Sequence, residues 1–418
     1  MYKVLKKYLV FGLFYATIFI SFYLGEDSLG GSKGDFLFHL KFIDLFNNKD
    51  FLIALNEYGY GNYIVRNSPI FYIVLSFLDN FLTLDNIRYI NSLASILIAI
   101  FFLKCLKIKY KNINENKLIF ISCVVFLSPT IRSLSVWPYP YIWGLLFFLI
   151  SLFYFLKYLD HKNSSESNFY LSIFFLSLSS YLHINFSVFG IFFLYKYFRR
   201  LGINIRIIKL LSFCLILAMP ALYFIFLRSG IYFFHAAEGL PVTYSEIFNF
   251  SNKIVIISTI LLFFLIPFIN LRIFYTEIKK IDNKKIFWIF LIVVILFSFF
   301  NYPFTNYFGG GFFFKASYIL TNNSILFFLI FFVSLIVLYI LSEQKFENYL
   351  LFLLLVLFNL QFTIYNKYYD PLVIFMIFLV FNFNIQKYFF KKKNYLYQCY
   401  TVLIIFYFFN YAKLLISL

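Results

Sequence analysis

Long apolar runs repeat along the whole chain and are separated by short polar connections. Most runs contain about 15 to 20 residues, close to the length that an α-helix needs to cross a bilayer. Because backbone N–H and C=O groups in lipid must find partners within their own segment, we interpret the runs as helices. The candidate segments lie near residues 8–24, 69–84, 88–103, 117–130, 141–156, 169–182, 186–198, 208–227, 254–271, 286–301, 324–342, 349–365, 371–385 and 398–416. The pattern predicts an all-α, polytopic transmembrane helical bundle.

Basic residues in the connections set the predicted orientation of these segments. Lys and Arg collect before the first segment and in several later connections, which the positive-inside rule places in the cytoplasm. The clearest of these connections span residues 104–117, 198–209, 272–285 and 386–394. If the N-terminus is cytoplasmic, three full crossings before Lys104 would place the connection 104–117 on the extracytoplasmic side. We therefore expect segment 69–84 or 88–103 not to cross, which leaves about 13 spans, roughly 12 to 14.

The composition agrees with a membrane protein. Hydrophobic residues make up 62% of the 418 residues and charged residues 13%, whereas a soluble protein would carry about a quarter charged residues. We predict one integral membrane domain over residues 1–418, in contact with membrane lipids and without a soluble domain. A net charge of +18 would suggest nucleic-acid binding in a soluble protein. Here the Lys and Arg follow the positive-inside pattern, so no nucleic-acid partner is expected.

No cofactor is indicated by the sequence motifs. The four cysteines lie within or beside apolar runs and lack metal-ligand spacing. His235 and Glu238 are three residues apart, but no third ligand accompanies them. The sequence also lacks the glycine-rich phosphate-binding motifs of nucleotide enzymes. We expect no cofactor; a divalent metal is possible at His235 and Glu238 but has no further support in the sequence.

Charged residues are concentrated in the predicted first outer loop, residues 25–68, which begins "GEDSLGGSKGDFLFHLKFIDLF". The glycine-rich turn is followed by a pattern typical of an amphipathic helix at the membrane interface. Asp35 and His39 are four residues apart and would share one helix face. A carboxylate at this boundary can act as general base on a sugar hydroxyl, with His39 among the substrate-binding residues. The alternative is that Asp35 only caps the helix.

Four cations at predicted outer helix ends are candidate ligands of a phosphate or pyrophosphate. Arginine offers a bidentate fork and lysine a point charge for such a group. Each of them alone is more often an anchor whose charged end reaches the interface. These candidates are Arg66, Arg132, Arg228 and Lys315.

Aromatic and histidine side chains on the predicted outer side complete the candidate site. Tyr139 lies in an outer turn with two further aromatic residues and is a candidate for stacking on a sugar ring. Aromatic belts at interfaces are the ordinary alternative. His183 interrupts an apolar stretch and could bind substrate or tie two helices together. His235, in the outer loop 228–246, is a further substrate-binding candidate.

Several stretches resemble the GT-C superfamily of membrane glycosyltransferases. They are "GDFLFHLKFIDLF", "RNSPIFYIVLSFL", "SPTIRSLSVWPYPYIWGLLFFLISLFYFLK" and "SLSSYLHINFSVFGIFFLYKYFRR". The resemblance implies a multi-pass protein of the bacterial inner membrane with a cytoplasmic N-terminus. It also implies a polyprenyl-(pyro)phosphate sugar donor, a glycan or lipid-linked acceptor, and an acidic base in the first outer loop. Many members carry paired acidic residues there, whereas Phe36 follows Asp35, so the base stays open among Asp35, Asp27, Glu26 and Asp44.

Two other functions are compatible with the pattern. An O-antigen or capsule repeat-unit polymerase, which joins lipid-pyrophosphate oligosaccharides, would share the same size and outer basic residues. A lipid-linked oligosaccharide flippase would need polar groups along the middle of several helices. The middles of these segments carry almost no ionisable residues, and polar groups collect at one predicted face. This asymmetry favours a glycosyltransferase over a flippase.

Overall fold

The computed structural model describes the chain in nine stretches. They are residues 2–28, 31–63, 67–160, 165–202, 204–227, 249–305, 309–359, 361–383 and 394–417. Within these stretches the chain forms nineteen α-helices and no strand. The predicted all-α class is therefore confirmed.

The helices are numbered here in chain order. They are α1 (Tyr2–Tyr23), α2 (Ser32–Asn48), α3 (Phe51–Glu57), α4 (Ile70–Asp79), α5 (Leu84–Lys109), α6 (Glu115–Cys123), α7 (Pro129–Val136), α8 (Pro140–Leu159), α9 (Glu166–Leu182), α10 (Phe189–Leu201), α11 (Ile205–Leu227), α12 (Phe250–Leu265), α13 (Leu271–Lys279), α14 (Asn283–Ser298), α15 (Gly311–Thr321), α16 (Ile325–Ser342), α17 (Phe346–Leu357), α18 (Leu372–Phe375) and α19 (Asn394–Ser417). A π-helical turn, Met376–Val380, follows α18.

Among the described residues, five helices are long and apolar enough to cross a membrane. They are α5, α8, the Ile205–Tyr223 part of α11, the stretch Phe250–Phe268 that contains α12, and α16. The number of possible spans becomes six if Glu115–Leu127 and Pro129–Val136, which meet at a bend of 63°, form one broken span. These helices support a membrane protein, while the count of about 13 spans stays a prediction. Helix α4 has 10 residues, about 15 Å at the rise of an α-helix, so it is too short to cross alone.

The chain divides into two compact units. Unit 1 comprises Met1–Leu240 and Ile405–Leu418, and unit 2 comprises Pro241–Ile404. In unit 1, α8 packs along α9 and α5, α5 and α1 contact α7, and α2 packs on α4. In unit 2, the buried helix α12 contacts α14 to α17. The predicted single integral domain stays a prediction.

Side-chain caps explain where several helices of unit 1 begin. The Thr83 hydroxyl accepts the Asn86 N–H at the start of α5. The Ser128 hydroxyl accepts the Ile131 N–H at 3.1 Å, and Pro129 occupies the first position of α7, where no N–H is needed. The outer turn predicted around Tyr139, residues 128–140, therefore begins with a short helix, and every residue of that helix is buried.

Three consecutive glycines in unit 2 allow the chain to turn tightly into α15. Gly309, Gly310 and Gly311 have φ values of +84°, +93° and +79°, in a region that favours glycine. The Gly310 N–H donates to the Ile364 carbonyl at 2.8 Å. A Cβ on Gly309 would lie 2.3 Å from that carbonyl oxygen, and a Cβ on Gly311 would lie 2.8 Å from Ile260 of α12. The glycines thus permit backbone contact that other residues would block.

Substitution Gly309→Ala is expected to lower the free energy of unfolding by about 2–3 kcal/mol, because it combines backbone strain with a steric clash. Denaturant titration of the detergent-solubilised protein, followed by far-ultraviolet circular dichroism, measures this change. Gly12→Ala is the matched control, since Gly12 is helical and a Cβ there has open space. Equal stability of the Gly309→Ala variant and the wild type would contradict the assigned turn.

Candidate functional site

Asp27 caps helix α2, which carries the predicted base. Its carboxylate accepts the backbone N–H groups of Gly31 at 2.9 Å, Ser32 at 2.9 Å and Lys33 at 3.3 Å. These donors belong to the first turn, where no intrahelical acceptor exists. Asp35 lies further along, is half-buried, and donates its own N–H to the Gly31 carbonyl at 2.8 Å. The capping role that was the alternative for Asp35 is thus performed by Asp27.

Glu26 and Arg132 form a buried ion pair that joins this loop to α7. Arg132 Nε donates to Glu26 Oε1 at 3.0 Å, and Arg132 Nη2 donates to Glu26 Oε2 at 3.0 Å. Arg132 Nη1 donates to the Thr17 hydroxyl at 2.9 Å and to the Phe126 carbonyl at 3.3 Å. Arg132 Nη2 also contacts the Ser21 hydroxyl. With 8% of Arg132 and 4% of Glu26 exposed, the pair is almost removed from solvent.

Further hydrogen bonds complete the attachment of the loop. The Ser28 hydroxyl donates to Glu26 Oε1 at 2.7 Å and lies 3.2 Å from the Ser133 hydroxyl. Trp137 Nε1 donates to the Glu26 carbonyl at 3.1 Å. A buried charge is tolerated when its partner and hydrogen bonds are well placed, as they are here. Glu26 is consequently held by its neighbours on α7 and by Ser28.

This arrangement bears on the predicted phosphate-binding role of Arg132. Each of the three guanidinium nitrogens already donates to a protein oxygen. A phosphate would have to displace Glu26 and leave that carboxylate buried without its main partner, which is costly. The geometry therefore favours Arg132 as the residue that positions the first loop. Direct phosphate contact by Arg132 stays a prediction.

His39 lies in a cluster of polar and aromatic side chains beneath α2, which we call the His39 cluster: His39, Asn67, Tyr72 and Tyr139. His39 is 6% exposed, and its Nδ1 is hydrogen-bonded to the Tyr72 hydroxyl at 2.5 Å. Asn67 Nδ2 donates to the Tyr72 hydroxyl at 3.4 Å. The rings of His39 and Tyr139 are 5.2 Å apart. Two side chains predicted for the site, His39 and Tyr139, are thus brought together.

His183 packs against Tyr141, which lies at the start of helix α8. Its ring is 5.2 Å from that of Tyr141, and the side chain is buried. Gly144 makes room for this packing, because a Cβ there would lie 3.0 Å from the Phe186 ring. Tyr139 and Tyr141 flank the proline that begins α8, so both histidines contact the start of one helix. Among the described residues, Asn185 Nδ2 is buried without a hydrogen-bond partner.

Asp35 is flanked along the chain by groups that could hold a sugar phosphate. The Lys33 ammonium lies 5.7 Å from the centre of the Trp137 ring. Phe36 packs against the same indole at 6.0 Å between ring centres. The indole is 8% exposed, and the Arg88 guanidinium lies 4.2 Å from its ring centre, so Trp137 packs beneath this turn. The Lys33 ammonium and the Asp35 carboxylate, within one helical turn, can hold an anion and accept a proton. Sequence reasoning did not assign Lys33, because its approach to Trp137 depends on the tertiary fold.

The remaining predicted residues lie in unit 2 or outside the described residues. Lys315 is half-buried on α15 of unit 2. Arg66, Arg228 and His235 lie outside the described residues. In the stretches that the structure describes, no group of three His, Cys, Asp or Glu residues is arranged to hold a metal ion. The roles predicted for these residues stay predictions.

Comparison of the chain with protein-family models, with curated proteins and with solved structures finds no match.

Proposed function

We propose that the protein is a membrane glycosyltransferase of surface-polysaccharide assembly. It moves a sugar from a polyprenyl-(pyro)phosphate donor to a glycan or lipid-linked acceptor at the extracytoplasmic face of the bacterial inner membrane. The proposal includes about 13 spans and a cytoplasmic N-terminus, from the positive-inside rule. The observation that carries it is the position of Asp35 on the first turn of a helix whose N-terminal end is anchored by the Asp27 cap and by the Glu26–Arg132 pair.

The anchoring supports Asp35 as the base better than the other acidic residues of the loop. Glu26 is paired with Arg132, and Asp27 caps α2 with three hydrogen bonds. Asp44 is exposed nearer the far end of the helix. Asp35 is half-buried, one turn before His39 on the same helix. A catalytic carboxylate needs a fixed position and partial access, and Asp35 has both.

In the proposed reaction, the acceptor hydroxyl loses its proton to the Asp35 carboxylate. The hydroxyl oxygen forms a bond to the anomeric carbon as the bond from that carbon to the phosphate oxygen breaks. The leaving phosphate keeps the bonding electrons, so a nearby cation stabilises it. Lys33 is the described cation closest along the chain, and the predicted cations Arg66, Arg228 and Lys315 are further candidates.

Reconstitution in liposomes tests the proposal. Purified protein is mixed with a radiolabelled polyprenyl-phosphate sugar and a lipid-linked acceptor, both supplied at one membrane face. We expect label on the acceptor lipid, without movement of the donor to the other face. A ladder of products of increasing length would identify a repeat-unit polymerase. Donor movement across the bilayer without transfer would overturn the proposal in favour of a flippase.

A further inference from the structure

A buried lysine in unit 2 has no assigned partner. Lys253 lies at the fourth position of helix α12 and is 2% exposed. Among the described residues its ammonium has no hydrogen-bond partner and belongs to no ion pair. Among the described residues, the ammonium lies 5.7 Å from the centre of the Phe250 ring, near the outer limit for a cation–π contact. An isolated buried ammonium is costly, so its surroundings need an explanation.

The ammonium of Lys253 lies beside the first turn of α12. Side chains on a helix lean towards its N-terminus, and Phe250 is the first residue of this helix. The contact with the Phe250 ring agrees with this direction. The side chain of Lys253 is therefore directed towards the N-terminal end of the helix.

Neutral amides surround the start of the helix. Asn249 caps α12, since its Oδ1 accepts the Asn252 N–H at 3.1 Å. The side-chain amides of Asn249 and Asn252 both donate to Asn301 Oδ1 at 2.8 Å. Asn252 Oδ1 accepts the Asn301 N–H at 3.0 Å. These neutral amides hydrogen-bond to one another, and among the described residues none of them supplies a negative charge to Lys253.

The Lys253 ammonium and the partial positive charge of a helix N-terminus are thus directed to the same end of α12. A helix N-terminus carries a partial positive charge, which disfavours a nearby cation and favours an anion. A phosphate group bound there would accept hydrogen bonds from the first-turn N–H groups that Asn249 does not cap and would pair with the ammonium. We infer that Lys253 and the first turn of α12 form a phosphate-binding site.

The phosphate can come from a lipid headgroup or from free phosphate in solution. Helix α12 belongs to a stretch long and apolar enough to cross the membrane, and Lys253 is in its first turns. A lipid phosphate is the expected source, and that expectation alone rests on the proposed function. Phosphate binding itself does not require Asp35 to be the base.

Thermal unfolding of the purified full chain in detergent tests the site. Inorganic phosphate and decyl phosphate are added separately, with sodium chloride as the control of equal ionic strength. We expect each phosphate to raise the unfolding midpoint of the wild type by about 2–4 °C in a saturable manner. A tenfold lower half-maximal concentration of decyl phosphate would identify a lipid headgroup, and equal concentrations would identify free phosphate.

Variants at Lys253 make the test specific. Lys253→Met is expected to unfold at or above the wild-type midpoint without phosphate and to lose the phosphate-induced rise. Lys253→Arg keeps the positive charge, so phosphate should still raise its unfolding midpoint. This variant provides a readout if the methionine variant does not fold. Lys284→Met is the matched control, because Lys284 is exposed on α14, and should respond like the wild type.

Several results would overturn the inference. They are an unresponsive wild type, a phosphate response of Lys253→Met equal to that of the wild type, and loss of the response in Lys253→Arg. The sugar-transfer assay is a separate measurement. A failed transfer with an intact phosphate response would contradict the proposed function alone, and the reverse would contradict this site alone.

Discussion

Replacement of Arg132 by methionine is expected to lower the free energy of unfolding by about 3–5 kcal/mol, the usual cost of leaving a buried charge without its partner. The change leaves Glu26 buried and removes the hydrogen bonds to Thr17 and to the Phe126 carbonyl. Denaturant titration of the detergent-solubilised protein measures the effect. The first loop should also lose its attachment to α7, so limited proteolysis within residues 25–68 should become faster.

A matched control comes from an exposed arginine–glutamate pair in the same unit. Arg206 contacts Glu166, and the two side chains are 54% and 39% exposed. Arg206→Met should therefore change the free energy of unfolding by no more than about 1 kcal/mol. In the double variant Glu26→Gln/Arg132→Met, the loss should be smaller than the sum of the single losses, because the charges leave together. Normal stability of Arg132→Met together with lost sugar transfer would instead indicate that Arg132 binds the phosphate.

Helix positions were largely predictable because apolar runs in a membrane protein have few alternatives to helix. The predicted segment 141–156 corresponds to Pro140–Leu159, and segment 324–342 corresponds to Ile325–Ser342. Helix α7 was not predicted. Its Ser, Thr and Arg side chains are typical of an exposed turn, yet they are buried. Residues 17–28 supply several partners of Arg132 and one of Ser133, and such distant pairing is not evident in local sequence.

The candidate site was predictable in its residue types but not in its contacts. The spacing of Asp35 and His39 placed both on one helix, which the structure has as α2. The cap formed by Asp27 depends on the left-handed backbone at Gly31, which brings the first N–H groups back to that carboxylate. Lys253 was missed because the predicted segment began at residue 254, which left the lysine outside the apolar run. The sequence signal that could have identified Lys253 is a single lysine directly before an apolar run.

Replacement of Asp35 by asparagine is expected to lower the rate of sugar transfer by about 10²–10⁴-fold, the usual contribution of a general base. Asparagine keeps nearly the same shape but cannot take the proton of the acceptor hydroxyl. The free energy of unfolding should change by no more than about 1 kcal/mol, because asparagine keeps the shape of the side chain and the interaction of one carboxylate with the start of a helix is worth about 0.3–1 kcal/mol. Initial rates in liposomes and denaturant titration of the same preparation measure the two effects.

Asp44→Asn on the same helix separates a specific role from a general effect of charge. Asp44 is exposed, so its variant should transfer sugar at close to the wild-type rate. Asp27→Asn should be less stable by about 0.5–2 kcal/mol through loss of the cap, and its remaining folded fraction should retain activity. An active Asp35→Asn variant would exclude this residue as the base, and an inactive Asp44→Asn variant would move the base to the other end of α2. Because the three carboxylates differ in their hydrogen bonds, the three variants distinguish proton transfer from capping and from surface charge.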